Sequence, residues 1–131
     1  LMHNRDNTDY NDFLKDVCED LRESVAIARE AGIPDEHIIL DPGVGFGKTY
    51  EQNLRIIHHL ECLKELGYPV LLATSRKSVI GIALDLPSDQ RVEGTVTTTV
   101  MGVEKGAAFV RVHDVKENMR AIKMTQAILK G

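Results

Sequence analysis

Apolar residues recur along the chain in two rhythms. Between about Tyr10 and Ala31, residues Leu14, Val17, Leu21, Val25 and Ala28 fall at spacings of three and four, the stripe of an amphipathic helix. Gly32 and Pro34 end it by the usual glycine and proline chemistry. "HIIL" at 37–40 then predicts a short buried strand. A second helix opens at Thr49, with Gln52 placed for a capping box. It carries Leu54, Ile57, Leu60, Leu63 and Leu66 until Gly67 and Pro69 stop it. "PVLLAT" predicts a second strand, and "SRKSVIGIALDLPSD" a short helical turn and loop. Val92, Val96, Val100 and Val103 mark a third helix ending before Gly106. "AAFVRV" predicts a third strand, after which Asp114 and Glu117 are placed to cap a last helix bearing Met119, Ile122 and Leu129. Strands and helices alternate without hairpin signals, which predicts an α/β fold with a parallel sheet.

The polar motifs sit at one place in this pattern. "HNR", "DPGVGFGKT", "SRKS" and "HD" each follow the carboxyl end of an apolar strand. In parallel α/β proteins, ligands bind at that edge. The chain opens on "LM" before turning polar, so it reads as starting in the last residues of a strand, as a piece of something longer. His3 and Arg5 fall on the same candidate rim, but no role is assigned to them.

Composition narrows the function classes. The 131 residues, 43% hydrophobic and 27% charged, suit one soluble globular domain. A net charge of −4 gives no bulk attraction to nucleic acid or an anionic membrane. A small anionic ligand stays open if a few cations converge. No signal peptide and no apolar run of about 18 residues is present, so a cytoplasmic protein without a membrane span is expected. Cys18 and Cys62 lie in helix-like segments without metal-ligand spacing, and reduced thiols are expected. His37, His58, His59 and the acidic run from Glu19 to Glu23 read as solvated residues.

"DPGVGFGKT" invites a phosphate-loop reading, and fails it. Counting back from Gly47, the first glycine of that pattern should stand at Pro42, which has no N–H to offer a phosphate. The dinucleotide pattern fails too, because its last glycine would have to lie one residue later. What remains is a carboxylate, Asp41, at the end of a buried strand, followed by a side-chain-free floor on which a flat ligand could lie. Phe46 could stack on its ring. Alternatively, Asp41 caps a turn and the glycines only bend the chain. "SRKS" groups Ser75, Arg76 and Lys77 behind a strand, either as an anion site or as a solvated basic turn with Ser75 as N-cap. In "FVRVHD", strand alternation gives Arg111 and His113 one face. An arginine there needs an anion, either a bound phosphate or diphosphate or an internal carboxylate.

"LMHNR", "ILDPGVGFGKT", "LLATSRKS" and "FVRVHDV", in this order and spacing, closely resemble the C-terminal half of bacterial dihydropteroate synthase over essentially the whole chain. The resemblance implies the second half of a (β/α)₈ barrel of about 250 residues, from the tail of strand 5 through helix 8, with 1–131 forming part of a pterin-binding domain. It implies condensation of p-aminobenzoate with 6-hydroxymethyl-7,8-dihydropterin diphosphate in folate synthesis, a sulfonamide target. By resemblance, Asp41 would hold the pterin, Lys77 would touch the pterin and border the p-aminobenzoate pocket, Phe46 and Ser75 would line that pocket, and Arg111 and His113 would hold the diphosphate. A magnesium ion is implied, with its asparagine in the half not represented here. Many relatives have glycine where Ala73 stands. Because the first half of the barrel is not represented, the chain alone is expected to turn over little, and to self-associate as a homodimer or bind the missing half. Two other readings remain, a methyltransferase pterin-binding domain and a non-catalytic half-barrel.

Overall fold

The computed structural model describes residues 7–131, with side chains from Asp12 onward. The "LMHNR" motif, with His3 and Arg5, lies outside the described residues. Helix α1 (Asn7–Glu30) follows the predicted stripe, with Leu14 and Val17 in the core and Leu21 packed against it. Its end is a left-handed turn: Gly32 at φ +86 donates to Arg29 O, and Ile33 donates to Ala28 O. Glycine adopts that conformation without the Cβ clash other residues meet.

The predicted strand at 37–40 contracts to one parallel bridge, Leu40 with Val70. Its first residue is drawn into a 3₁₀ turn at Asp35–His37, where His37 N–H donates to Pro34 O. The other two strands form as short ribbons, β1 (Leu71–Leu72) and β2 (Phe109–Val110), paired in parallel with Leu71 opposite Phe109. Leu71 N–H donates to Leu40 O at 2.8 Å and Arg111 N–H to Leu72 O at 3.0 Å, the slanted ladder of parallel pairing.

Helix α2 (Tyr50–His58) starts with the expected capping box: Gln52 N–H donates to Thr49 Oγ1, and Thr49 N–H donates to Gln52 Oε1. The predicted continuous helix breaks at His59 and Leu60 and resumes as α3 (Glu61–Lys64). Ile56, Ile57, Leu60 and Leu63 join Val44, Val70, Leu72, Val79 and Ile80 in the core. Helix α4 (Ser78–Leu84) supplies the last two of these after the "SRKS" turn.

Helix α5 (Val92–Glu104) corrects the sequence reading. Its valines are only half-buried, while Thr95, Thr98, Thr99 and Gly102 face inward. Threonines fit because each hydroxyl finds a buried partner. Thr98 bonds Thr74, and Thr99 donates to Asn118 Oδ1 at 2.6 Å. Helix α6 (Val115–Lys130) forms where expected, but its inward face is again polar. It buries Asn118 and Thr125, while Met119 and Leu129 are exposed. Asp114 precedes it as N-cap but makes no side-chain cap bond, because its carboxylate is turned to Arg76.

Asn118 is fully buried, and its Nδ2 donates to Asp114 O. Thr99→Val keeps the shape of the side chain but orphans Asn118 Oδ1. It is expected to cost about 1–3 kcal/mol, read as a lower urea midpoint with unchanged slope. A loss below about 0.5 kcal/mol would show that the α5–α6 seam does not depend on this bond.

Candidate ligand-binding site at the strand ends

Parallel pairing sets three ribbon ends side by side. Asp41 directly follows Leu40, Ala73 follows Leu72, and Arg111 follows Val110. Asp41, Phe46, Ser75, Lys77, Arg111 and His113, together with Ala73, line one cavity of about 320 Å³. Every site residue expected from sequence is therefore brought together.

Two environments differ from expectation: Asp41 and Arg111, both read as ending buried strands, are exposed, so Arg111 does not need an anion on grounds of burial. Asp41 is exposed, because the strand before it shrinks to one bridge and the chain leaves the sheet there. Its Oδ1 accepts Gly43 N–H at 2.8 Å, so the turn-capping reading holds at one oxygen. Among the described residues Oδ2 has no partner, so a ligand can still use the carboxylate.

Gly43, Gly45 and Gly47 all have positive φ, and the loop between them is tied from several sides. Gly45 N–H donates to Oδ1 of buried Asn53 at 2.9 Å. Lys48 Nζ donates to Gly43 O and Phe46 O, both at 3.2 Å, so the lysine of "GKT" braces its own loop. Lys77 Nζ donates to Val44 O at 2.7 Å and lies 4.8 Å from the Phe46 ring centroid, close enough for a cation–π contact. Phe46 itself is 70% exposed. Burial pushes the Lys77 ammonium below its ordinary range, Asp41 opposes that, and Arg111 and Lys48 add to it.

The "SRKS" turn is built for the opposite ribbon. Ser75 is not a helix cap; that position belongs to Lys77. Ser75 Oγ instead accepts His113 N–H at 3.0 Å and bonds His113 Nδ1 at 2.8 Å. Arg76 sits in the left-handed region at φ +58, with Nη2 donating to Asp114 Oδ1 at 3.1 Å. Arg91 Nη1 donates to Arg76 O at 2.8 Å. The internal Arg–Asp pair considered for Arg111 is thus made by Arg76. Among the described residues no carboxylate pairs with Arg111, whose side chain is open to the cavity.

Sequence reasoning missed Asn53, the Arg76–Asp114 pair and Arg91. Asn53 carried one signal, a polar residue in register with Ile56 and Ile57 on the buried face. A larger groove of about 520 Å³ among α2, α4 and α5 is lined mainly by Leu54, Ile57, Ile80, Leu84 and Met101. It lacks the convergent polar groups of the strand-end cavity.

Among the described residues no three His, Cys, Asp or Glu side chains gather to hold a metal ion. Cys18 and Cys62 are free and half-buried, and burial raises both thiols. No helix among the described residues is long and apolar enough to cross a membrane.

Comparison with known proteins shows the family. Residues 1–113 match the family model described as pterin binding enzyme. The chain belongs to this family. It is 63% identical to a dihydropteroate synthase of Clostridium beijerinckii over 131 residues, covering 99% of this chain and 49% of that protein. The crystal structure of a Clostridium difficile dihydropteroate synthase with pteroic acid superposes with a TM-score of 0.87 at 46% identity, over 95% of this chain and 45% of that one. A Yersinia pestis dihydropteroate synthase in a sulfonamide drug complex gives 0.89 at 35% identity, over 91% and 43%. The chain spans about half the length of these relatives.

The half-buried ammonium of Lys77 gives a pH prediction. Lys77 holds its proton less tightly in the folded chain than in the unfolded one. Between its lowered value and the ordinary lysine value, its contribution to stability should therefore rise with pH. A ¹³Cε titration of labelled lysines should place Lys77 below the ordinary value. A midpoint at or above that value would contradict the burial.

Proposed function

We propose that residues 1–131 are the second half of a (β/α)₈ barrel, one partial pterin-binding domain, and that the complete barrel is a dihydropteroate synthase. The observation that carries this reading is the meeting of Asp41, Lys77, Arg111 and His113 around one strand-end cavity. Ile39 and Phe109, on the two outer ribbons, are about half exposed at 51% and 49%, which suits ribbons that further strands would cover. The same half-open sheet supports association with the missing half or with a second copy.

In this reading the chain handles two ends of one substrate. Asp41 accepts two parallel N–H bonds from the 2-amino-pyrimidinone edge of the pterin, since a carboxylate keeps lone pairs free beyond the one given to Gly43. Phe46 and Lys77 border the p-aminobenzoate pocket, with Ser75 behind them. Arg111 and His113 hold the diphosphate. As the C–O bond to diphosphate breaks, charge grows on the leaving group, and fixed donors aimed at it lower the barrier. The pterin spreads the positive charge left behind. The arylamine is nucleophilic when neutral, so no general base is needed. A methyltransferase has no diphosphate to hold, and would leave Arg111 and His113 without a ligand.

Two substitutions should separate the two ends. Asp41→Asn should weaken binding of a pterin by about 100-fold while sparing inorganic diphosphate, and Arg111→Ala should do the reverse. Both are read by calorimetry on the complete natural polypeptide. Diphosphate binding that ignores Arg111 would end the synthase reading. The 131 residues alone are expected to form little or no pteroate and to sediment as more than a monomer. Substantial product from a clean monomer would refute the half-barrel.

A further inference from the structure

We propose that Ser75 is a positioning residue that fixes the tautomer of His113, so that the ring presents Nε2–H to the cavity. This deepens the anion-binding role given to His113 and rests on that reading for its purpose, though not for its geometry. Ser75 Oγ accepts the backbone N–H of His113 at 3.0 Å, and lies 2.8 Å from Nδ1 of the same residue. A hydroxyl has one proton and two lone pairs. With one lone pair used by the backbone, two arrangements remain in the neutral ring.

In the first, the hydroxyl donates to an unprotonated Nδ1, and the ring proton sits on Nε2. In the second, Nδ1–H donates to Oγ, and the serine proton must find another acceptor. Ser75 is buried, at 8% exposure, and among the described residues its oxygen has no third partner. The second arrangement would leave the hydroxyl proton without an acceptor among the described residues, which disfavours it. The first satisfies every group. A histidine tautomer follows the bond made by its other nitrogen, and here that nitrogen is committed to Ser75.

The scaffold around the pair holds this relation. Arg76 carries the Ser75 ribbon to the His113 ribbon through its bond to Asp114, the residue directly after His113. Thr95 Oγ1 accepts Arg76 N–H, and Arg91 closes on Arg76 O. Ser75 and His113 are each one residue away from a clamped neighbour. Their hydroxyl and imidazole therefore meet without either side chain having to search. The outcome is an N–H donor of fixed direction in the cavity that Arg111 also lines, suited to a diphosphate oxygen. Ser75 acts through His113 and is not proposed to touch that ligand.

The test is ¹⁵N NMR of histidine-labelled complete polypeptide, with His113 assigned by His113→Gln and the imidazoles in their neutral form. In the parent protein His113 should show a protonated Nε2 and a bare Nδ1. Ser75→Ala should mix the tautomers and weaken inorganic diphosphate by about tenfold, while Ser75→Thr, which restores the hydroxyl, should recover both. A parent His113 protonated at Nδ1, or a Ser75→Ala spectrum unchanged from the parent, overturns the proposal. If Ser75→Ala does not fold, the parent spectrum decides by itself. Should the parent hold the Nε2–H tautomer yet bind no diphosphate, the tautomer assignment stands and the synthase reading fails.

Discussion

The site depends on the parallel ladder joining three short ribbons. Leu71 N–H reaching Leu40 O, and Arg111 N–H reaching Leu72 O, align chain segments far apart in sequence so that all leave the sheet at one end. Parallel pairing cannot be made by a tight turn, so each connection must cross back through helix. Those crossovers separate Asp41, Ser75 and Arg111 in sequence and reunite them in space. The ribbons themselves are brief, and their role is registration more than area.

A second constraint is polar. Helix α5 packs inward with threonines, and its hydroxyls are committed to the strand-end turn on one side and to α6 on the other. A bond satisfied in a buried setting is direction-specific, unlike apolar contact. The turn at 74–76 and the start of α6 are therefore fixed relative to one helix. That common reference brings Arg76 to Asp114 and Ser75 to His113.

The sequence made much of the site legible and less of its support. Asp41, Lys77, Arg111 and His113 stood out because each polar motif followed an apolar run, and order along the chain implies one rim in a parallel fold. The α5 face was misread because valine signals burial and threonine does not, until its hydroxyl partners are known. The inward face of helix α6 was missed for the same reason: Asn118 and Thr125 are inside while Met119 is outside. The strand at 37–40 shrank because a local turn competed for its first residue. The Arg76–Asp114 pair had no local signature, since nothing in sequence says which of two neighbouring arginines will find the internal carboxylate.

Lys77 is bound to the carbonyl of Val44, inside the glycine loop, and a side chain added at Gly45 would press on Lys77 Cδ at 3.2 Å. The loop backbone and the ammonium are thus one mechanical unit. A displacement of the loop at Val44 therefore carries positive charge with it, so loop shape and the field in the cavity change together. Variation within the loop would then alter electrostatics at the pocket without changing a single charged residue.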